Sequence, residues 1–175
     1  MRRPVPYRKL IILFILLAIF CGLLISQVIL RKGTPGKPVA ASKNEALIIF
    51  LPGSEGKLKK KNVEIKEDIP DKEKADMIMR ELRKGNAVPE NLSVYNIAID
   101  TDGVMYLNLS HGIKVENGDP KAEIALVYAI VDSFLSNFRG AKGVQLLVEG
   151  EALHTINGLL YTYMPMEFNN QIVED

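Results

Sequence analysis

Residues 103–150 read GVMYLNLSHGIKVENGDPKAEIALVYAIVDSFLSNFRGAKGVQLLVEG, and the alternation of periods inside this stretch decides the fold. Val104 to Ser110 alternates as a strand does, and Val144 to Val148 reads as a second one. Between them Ile124, Val127, Tyr128, Val131, Phe134, Leu135 and Phe138 recur at helical spacing, predicting one apolar stripe. Glu123, Asp132, Ser133 and Ser136 fall off that stripe and are expected on the other faces. Asp119 stands where an N-cap belongs and Pro120 at the first helical position, where a missing N–H costs nothing.

Working outward, Ser93 to Asp100 alternates too and meets the Val104 strand through Thr101-Asp102-Gly103, a hairpin signal. Tyr95, Ile97 and Ile99 on one strand, and Met105, Leu107 and Leu109 on the other, are expected to cover the core. Further upstream Ala75, Ile78, Met79 and Leu82 predict a one-sided helix with Asp71 as N-cap and Gly85 as its stop. Ala46 to Leu51 is a buried-strand candidate halted by Pro52-Gly53. Ser54 to Pro70 reads as a polar, basic insertion with a weak strand at Asn62 to Ile65. Downstream, Leu153 to Ile156 and Leu159 to Tyr163 flank Asn157-Gly158, predicting a terminal hairpin. Residues 166–175 read as a polar tail that frays. The expected architecture is α+β, in the order β-α-β-β-α-β plus a C-terminal hairpin. A single sheet of about four strands carries two helices on one face, all within residues 45–165.

The N-terminal part has a different composition. Residues 1–9 carry Arg2, Arg3, Arg8 and Lys9, and the run from Leu10 to Leu30 is uncharged and long enough to cross a hydrocarbon core of about 30 Å. Bulky residues and then Arg31 and Lys32 follow Ser26-Gln27-Val28, which fits an uncleaved signal anchor rather than a cleaved peptide. The only cysteine, Cys21, follows Phe20 rather than the small residue a lipidation site requires. The basic flank predicts a single pass through the cytoplasmic membrane, with the N-terminus in the cytoplasm and the domain on the periplasmic or extracytoplasmic side. Residues 31–44, rich in Gly, Pro and Ser, form a linker reaching at most about 45–50 Å.

A formal net charge of +1 argues against nucleic acid as a partner. Neither His111 nor His154 belongs to an HxH or HExxH pattern, Ser110-His111 lacks a GxSxG elbow, and phosphate loops do not occur. Glu149 and Glu151 flank Gly150, where a solvated edge pair is the expectation. No enzyme activity, metal or cofactor is therefore expected. The candidate interaction residues are the basic cluster Lys57, Lys59, Lys60 and Lys61, and the aromatic pair Tyr161 and Tyr163, two residues apart on one strand face.

The run LIIFLP, the helix positions Ala75 and Leu82, the strand GVMYLNLS, the helix segments PKAEIAL and IVDSFLSNF and the strand VQLLVEG together resemble a GerMN domain, the module of sporulation and spore-germination proteins, over Leu47 to Gly150. Ser133-Phe134-Leu135 departs from the Thr-Leu pair frequent in that helix, and Thr155 to Gly158 only partly matches the family's Gly-rich segment. The resemblance implies an extracytoplasmic domain tied to the membrane, similar in fold to the ring-building motifs of envelope machines, and without established catalytic residues. A non-enzymatic scaffold that binds envelope proteins or itself is the expected function. The alternative is a module for a wall polymer, peptidoglycan or anionic glycan, using the lysines for charge and Tyr161 and Tyr163 for stacking.

Overall fold

The computed structural model describes residues 45–65, 69–113 and 119–174. The predicted span between Leu10 and Leu30, its flanks and its linker lie outside them. Among the described residues no helix is long and apolar enough to cross a membrane.

Strands β1 (Glu45–Pro52) and β2 (Leu58–Ile65) pair antiparallel around a single 3₁₀ turn at Ser54–Gly56. Helix α1 (Asp71–Lys84) follows, then β3 (Val94–Ile99), β4 (Val104–Leu109), α2 (Pro120–Asn137), β5 (Gly143–Val148) and the two-residue β6 (Glu151–Ala152). The expected single sheet is in fact two: β1-β2 stands apart, and the other sheet runs β3-β4-β5-β6. Both helices touch β1 on one side and the four-stranded sheet on the other, α1 at β3 and α2 at β5. The helices are therefore a middle layer. β1 does not join the main sheet because α2 occupies its free edge: the Ser133 hydroxyl accepts from the Phe50 N–H at 2.9 Å. Asn137 accepts from the Ile48 N–H at 2.9 Å and donates to the Ile48 carbonyl at 2.6 Å.

In the main sheet β4 and β5 run parallel with α2 as their crossover, Leu107 beside Leu146. Met105, Leu107 and Leu109 are fully buried, as their alternation predicts. Gly103 precedes β4 at φ +90°, and a Cβ there would lie 2.8 Å from the Gly140 carbonyl, so only glycine fits between these two loops. β3 departs from expectation. Its register shifts between Val94 and Asn96, and this bulge admits Val94 to the core. Of the three residues expected there, only Ile97 packs, while Tyr95 and Ile99 stay 51% and 38% exposed.

α1 ends where Gly85 predicts, with Asn86 in the left-handed conformation and the Ala87 N–H bonded to the Leu82 carbonyl. Its N-cap is Pro70 rather than Asp71, which is the first helical residue. Asp119 caps α2 as expected, accepting from the Lys121 N–H at 3.0 Å. Within the polar insertion the described residues form the 3₁₀ turn and a β2 that begins at Leu58 rather than at Asn62.

Residues 166–174 pack against the domain rather than fraying as expected. Met166 exchanges two backbone hydrogen bonds of 2.8 Å with Val144, and Phe168 meets Phe50 edge-on with ring centroids 5.3 Å apart. The Asn169 N–H reaches the buried Asp132 carboxyl of α2 at 3.1 Å. The strap ends against β2, where Val173 bridges Leu58 and Glu174 accepts from the Ser54 N–H and hydroxyl at 2.7 and 2.8 Å. Those two hydrogen bonds, helped by Lys59 and Lys57, hold the Glu174 carboxyl below its ordinary range. Apolar side chains at four places in the tail (Met166, Phe168, Ile172, Val173) provide the anchor that its polar composition conceals.

Candidate interaction surface

β5 is met along its outer edge by β6 at Leu147 and Val148 and by Met166 at Val144. Residues 153–165 leave and rejoin the sheet between these two points. The departure is a tight two-residue turn in which Glu149 and Gly150 both take positive φ, 53° and 90°, and the Gly150 N–H donates to the Asn108 side chain at 2.8 Å. Glu149 and Glu151 are exposed there and form no paired site. The two-residue hairpin turn thus falls at Glu149-Gly150 rather than at Asn157-Gly158. In place of the expected terminal hairpin there is one isolated bridge, Thr155 to Tyr161.

The base of this loop is fixed from below. The fully buried Glu123 carboxyl, on the first turn of α2, accepts from the Asn157 and Leu160 N–H groups, both at 3.1 Å. Buried Gln145 on β5 donates to the Thr162 carbonyl at 3.1 Å. Thr162 is itself buried, donating through its hydroxyl to the Leu153 carbonyl at 2.9 Å and through its N–H to the His154 carbonyl at 2.8 Å. Helical and strand spacing does not mark Glu123, Gln145 or Thr162 as loop anchors. A polar residue just inside a helix start gives no hint that another segment will land on it.

Alternating with buried Thr162, Tyr161 and Tyr163 point out, 56% and 44% exposed. Exposed His154 stacks on Tyr163 with centroids 4.5 Å apart and planes 11° from parallel, and Tyr161 lies 6.3 Å from Tyr163. Leu159 and Met164 add exposed apolar surface to the same loop. The fold therefore joins the predicted pair Tyr161 and Tyr163 to a third ring, His154. His111 is exposed in a separate turn after β4.

The lysine cluster belongs elsewhere. Lys59, Lys60 and Lys61 lie on β2, opposite Leu51, Phe50 and Ile49 of β1, and Lys57 precedes the strand. Lys61 bonds the Glu81 carboxylate at 3.0 Å, which Lys84 holds from the other side at 2.6 Å. The Lys84 hydrogen bond, opposed by burial and joined by Lys61, keeps that carboxyl below its ordinary range. These lysines have a structural use: charged side chains along an outer strand discourage other strands from adding to it. Among the described residues no group of three or more His, Cys, Asp or Glu is placed to hold a metal ion.

Comparison with known proteins follows the same lines. The family model "Germane: Sporulation and spore germination" matches residues 48–154, from within β1 to just beyond β6. No curated protein matches the chain. Among solved structures, a Clostridium perfringens protein described as a lipoprotein is 17% identical with a TM-score of 0.48, covering 77% of this chain and 93% of its own. The first GerMN domain of the sporulation protein GerM from Bacillus subtilis is also 17% identical, with a TM-score of 0.48 and coverage of 73% and 98%. The tandem GerMN domains of GerM give 16% identity, a TM-score of 0.46 and coverage of 73% and 44%. The family match spans more than half of the chain, and this protein belongs to the Germane, or GerMN, family of sporulation and spore-germination domains.

Proposed function

We propose that this chain is a non-enzymatic interaction scaffold, held by residues 10–30 in the cytoplasmic membrane with its GerMN domain outside, and that loop 153–165 is where it grips other envelope proteins. The observation that carries this reading is the contrast within the loop. Its base is pinned to buried Glu123 and Gln145, while Leu159, Tyr161, Tyr163 and Met164 project into solvent. Loops on a rigid base commonly carry binding, and tyrosines contribute large contact area at small entropic cost. Anchoring rests on the uncharged run from Leu10 to Leu30 and its basic flank.

A photo-crosslinking side chain at Leu159 of the full-length chain, activated in cells and followed by mass spectrometry, tests the proposal. Capture of envelope proteins that disappears with Tyr161→Ala and Tyr163→Ala supports it. Capture of nothing, or capture untouched by those substitutions, overturns it.

One observation favours a second reading. His154 and Tyr163 already lie ring on ring, an arrangement that suits stacking against a sugar face. In that reading a wall glycan binds the aromatic loop without the lysines, since Lys61 is paired to Glu81 and Lys57 and Lys59 lie beside Glu174. Retention of the purified protein on wall polymer, lost with Tyr163→Ala and indifferent to charge reversal at Lys59 and Lys60, would select it.

A further inference from the structure

Three of the four outer strand edges in this domain are covered or guarded. Ser133 and Asn137 occupy the edge of β1. β2 carries Lys59, Lys60 and Lys61, and its first residue is bridged by Val173. At the far side of the main sheet β6 is only two residues long and carries Glu151, too short to template another strand, and Met166 takes the rest of the β5 edge. β3 is the exception. It is the outermost strand of the four-stranded sheet, and VYNIAI contains no charge, no proline and no glycine. The Asp100 N–H bonds the Val104 carbonyl at 3.0 Å, so by antiparallel alternation Asn96 and Ala98 bond toward β4. The backbone groups of Ile97 and Ile99 then face outward, along a groove shared with Asp71 and Lys72 at the start of α1.

We propose that β3 is a self-association edge: two copies of this chain pair their β3 strands antiparallel about a two-fold axis at Ile97, making one continuous sheet across both. The register follows from the hydrogen bonds. Outward-bonding residues must meet outward-bonding residues, which sets Ile97 against the partner's Ile97. The same register sets Tyr95 against the partner's Ile99 and Ile99 against the partner's Tyr95. Those are the two large exposed apolar side chains of this strand, and an aromatic opposite a β-branched residue is a favourable cross-strand pair. The strand itself carries no charge with which to select a charged peptide, whereas its side chains are complementary to those of its own copy. With one open edge per domain among the described residues, pairing closes at two copies, the symmetry common to soluble homo-oligomers. This inference deepens the scaffold reading and rests on it for its use in the cell.

Sedimentation of the full-length chain in detergent, together with the variants Y95K, I99E and the double variant Y95K/I99E, tests the pairing, with thermal melts confirming that each variant folds. The parent is expected to sediment as a dimer, and each folded single variant to weaken dimerisation at least about tenfold, since a charge replaces half of an apolar cross-strand pair. The double variant is expected to recover the dimer, because in this register each introduced cation faces an introduced anion of the other copy. A monomeric parent, a dimer indifferent to both single variants, or a double variant no better than the singles would overturn the inference. So would a crosslinker at Ala98 that captures another protein rather than this chain. Capture through Leu159 is read separately: its persistence in I99E with a monomeric parent would leave the scaffold standing and remove only the β3 dimer.

Discussion

Helix α1 keeps most of its polar side chains in water, whereas α2 buries its own and bonds a different part of the chain with each. On α1 the buried residues are Ala75, Ile78, Met79 and Leu82, joined by the ion-paired Glu81, while Asp71, Lys72, Glu73, Asp76 and Arg80 are exposed. On α2 Glu123, Asp132 and Ser133 are fully buried. Glu123 holds the aromatic loop, Asp132 the C-terminal strap, and Ser133, with half-buried Asn137, the edge of β1. The difference is one of cover. Both helices lie between the two β layers, but α1 keeps a face open to solvent, whereas α2 is also covered by the aromatic loop and the C-terminal strap. The polar residues of α2 persist only where a backbone N–H comes to meet them.

The sharpest way to break this comparison is at the apolar centre of α2. Phe134 is fully buried and stacks with Phe138 at 5.7 Å between centroids. Phe134→Asp removes that packing and buries an unpaired carboxylate, costs that together exceed about 4–5 kcal/mol. The variant is expected to show no cooperative thermal transition. A folded variant with a melt near that of the parent would show that α2 is not the centre of the core.

Next in size is a group that the fold tolerates at a cost. Burial pushes the Asp132 carboxyl up to about 6 from 3.8, opposed only by the Asn169 N–H, and its second oxygen has no partner among the described residues. The folded state therefore holds this proton more tightly than the unfolded chain does. The contribution to stability is fully present below about pH 4 and is lost as the pH rises through about 6. A shift of that size corresponds to about 3 kcal/mol. The difference in stability between the parent and Asp132→Asn should therefore move by that order in favour of the variant from pH 4 to pH 7.5. Glu81, Asp100 and Glu174 have lowered values and act in the opposite sense, but they are common to both proteins and cancel in the difference. Parallel pH profiles would rule out a buried, titrating Asp132.

Ser133→Ala is smaller and more local. It leaves the Phe50 N–H buried without its acceptor, a loss of about 1–3 kcal/mol. The loss should appear both in the melt and as faster hydrogen exchange at Phe50 than at Leu51. Unchanged exchange at Phe50 would mean that β1 does not depend on α2 for its free edge.

Much of the domain is legible in the amino-acid sequence. The elements β1, α1, β3, β4, α2 and β5 in that order, the Asp119 cap, the stop at Gly85 and the core face of β4 all follow from local chemistry that neighbours do not alter, whereas only the second half of β2 could be read. The features that sequence patterns miss depend on how layers stack. Ser133 and Asp132 read as solvent positions because periodicity reports contrast along one helix and is blind to a second layer on its far side. Strict alternation assigns Tyr95 and Ile99 to the core, but a one-residue bulge inserts Val94, and β3 lies at the rim of the sheet. Average polarity makes the tail look disordered, although Met166, Phe168 and Val173 are enough to seat it. Of the candidate site, the tyrosine pair is visible in the strand period, and His154 is not, since it arrives from the other side of an irregular loop.

The smallest expected effect is the control that gives the others their meaning. Lys72 and Asp76 lie one turn apart on the exposed face of α1 with a 2.5 Å contact, both side chains about half exposed, at 49% and 53%. The short distance alone invites a large stabilisation. Physical chemistry argues otherwise, because water screens both charges and two long side chains lose rotamer freedom to hold one geometry. A helix-surface pair at this spacing contributes about 0.3–0.5 kcal/mol. Asp76→Ala should therefore leave the melt within about 1–2 °C of the parent, and added salt should erase the difference. Ser133→Ala, with a single neutral hydrogen bond of 2.9 Å, should cost several times more and be indifferent to salt. If the α1 pair proved the more costly of the two, burial would not be what gives the polar residues of α2 their weight, and the contrast between the helices would need another cause.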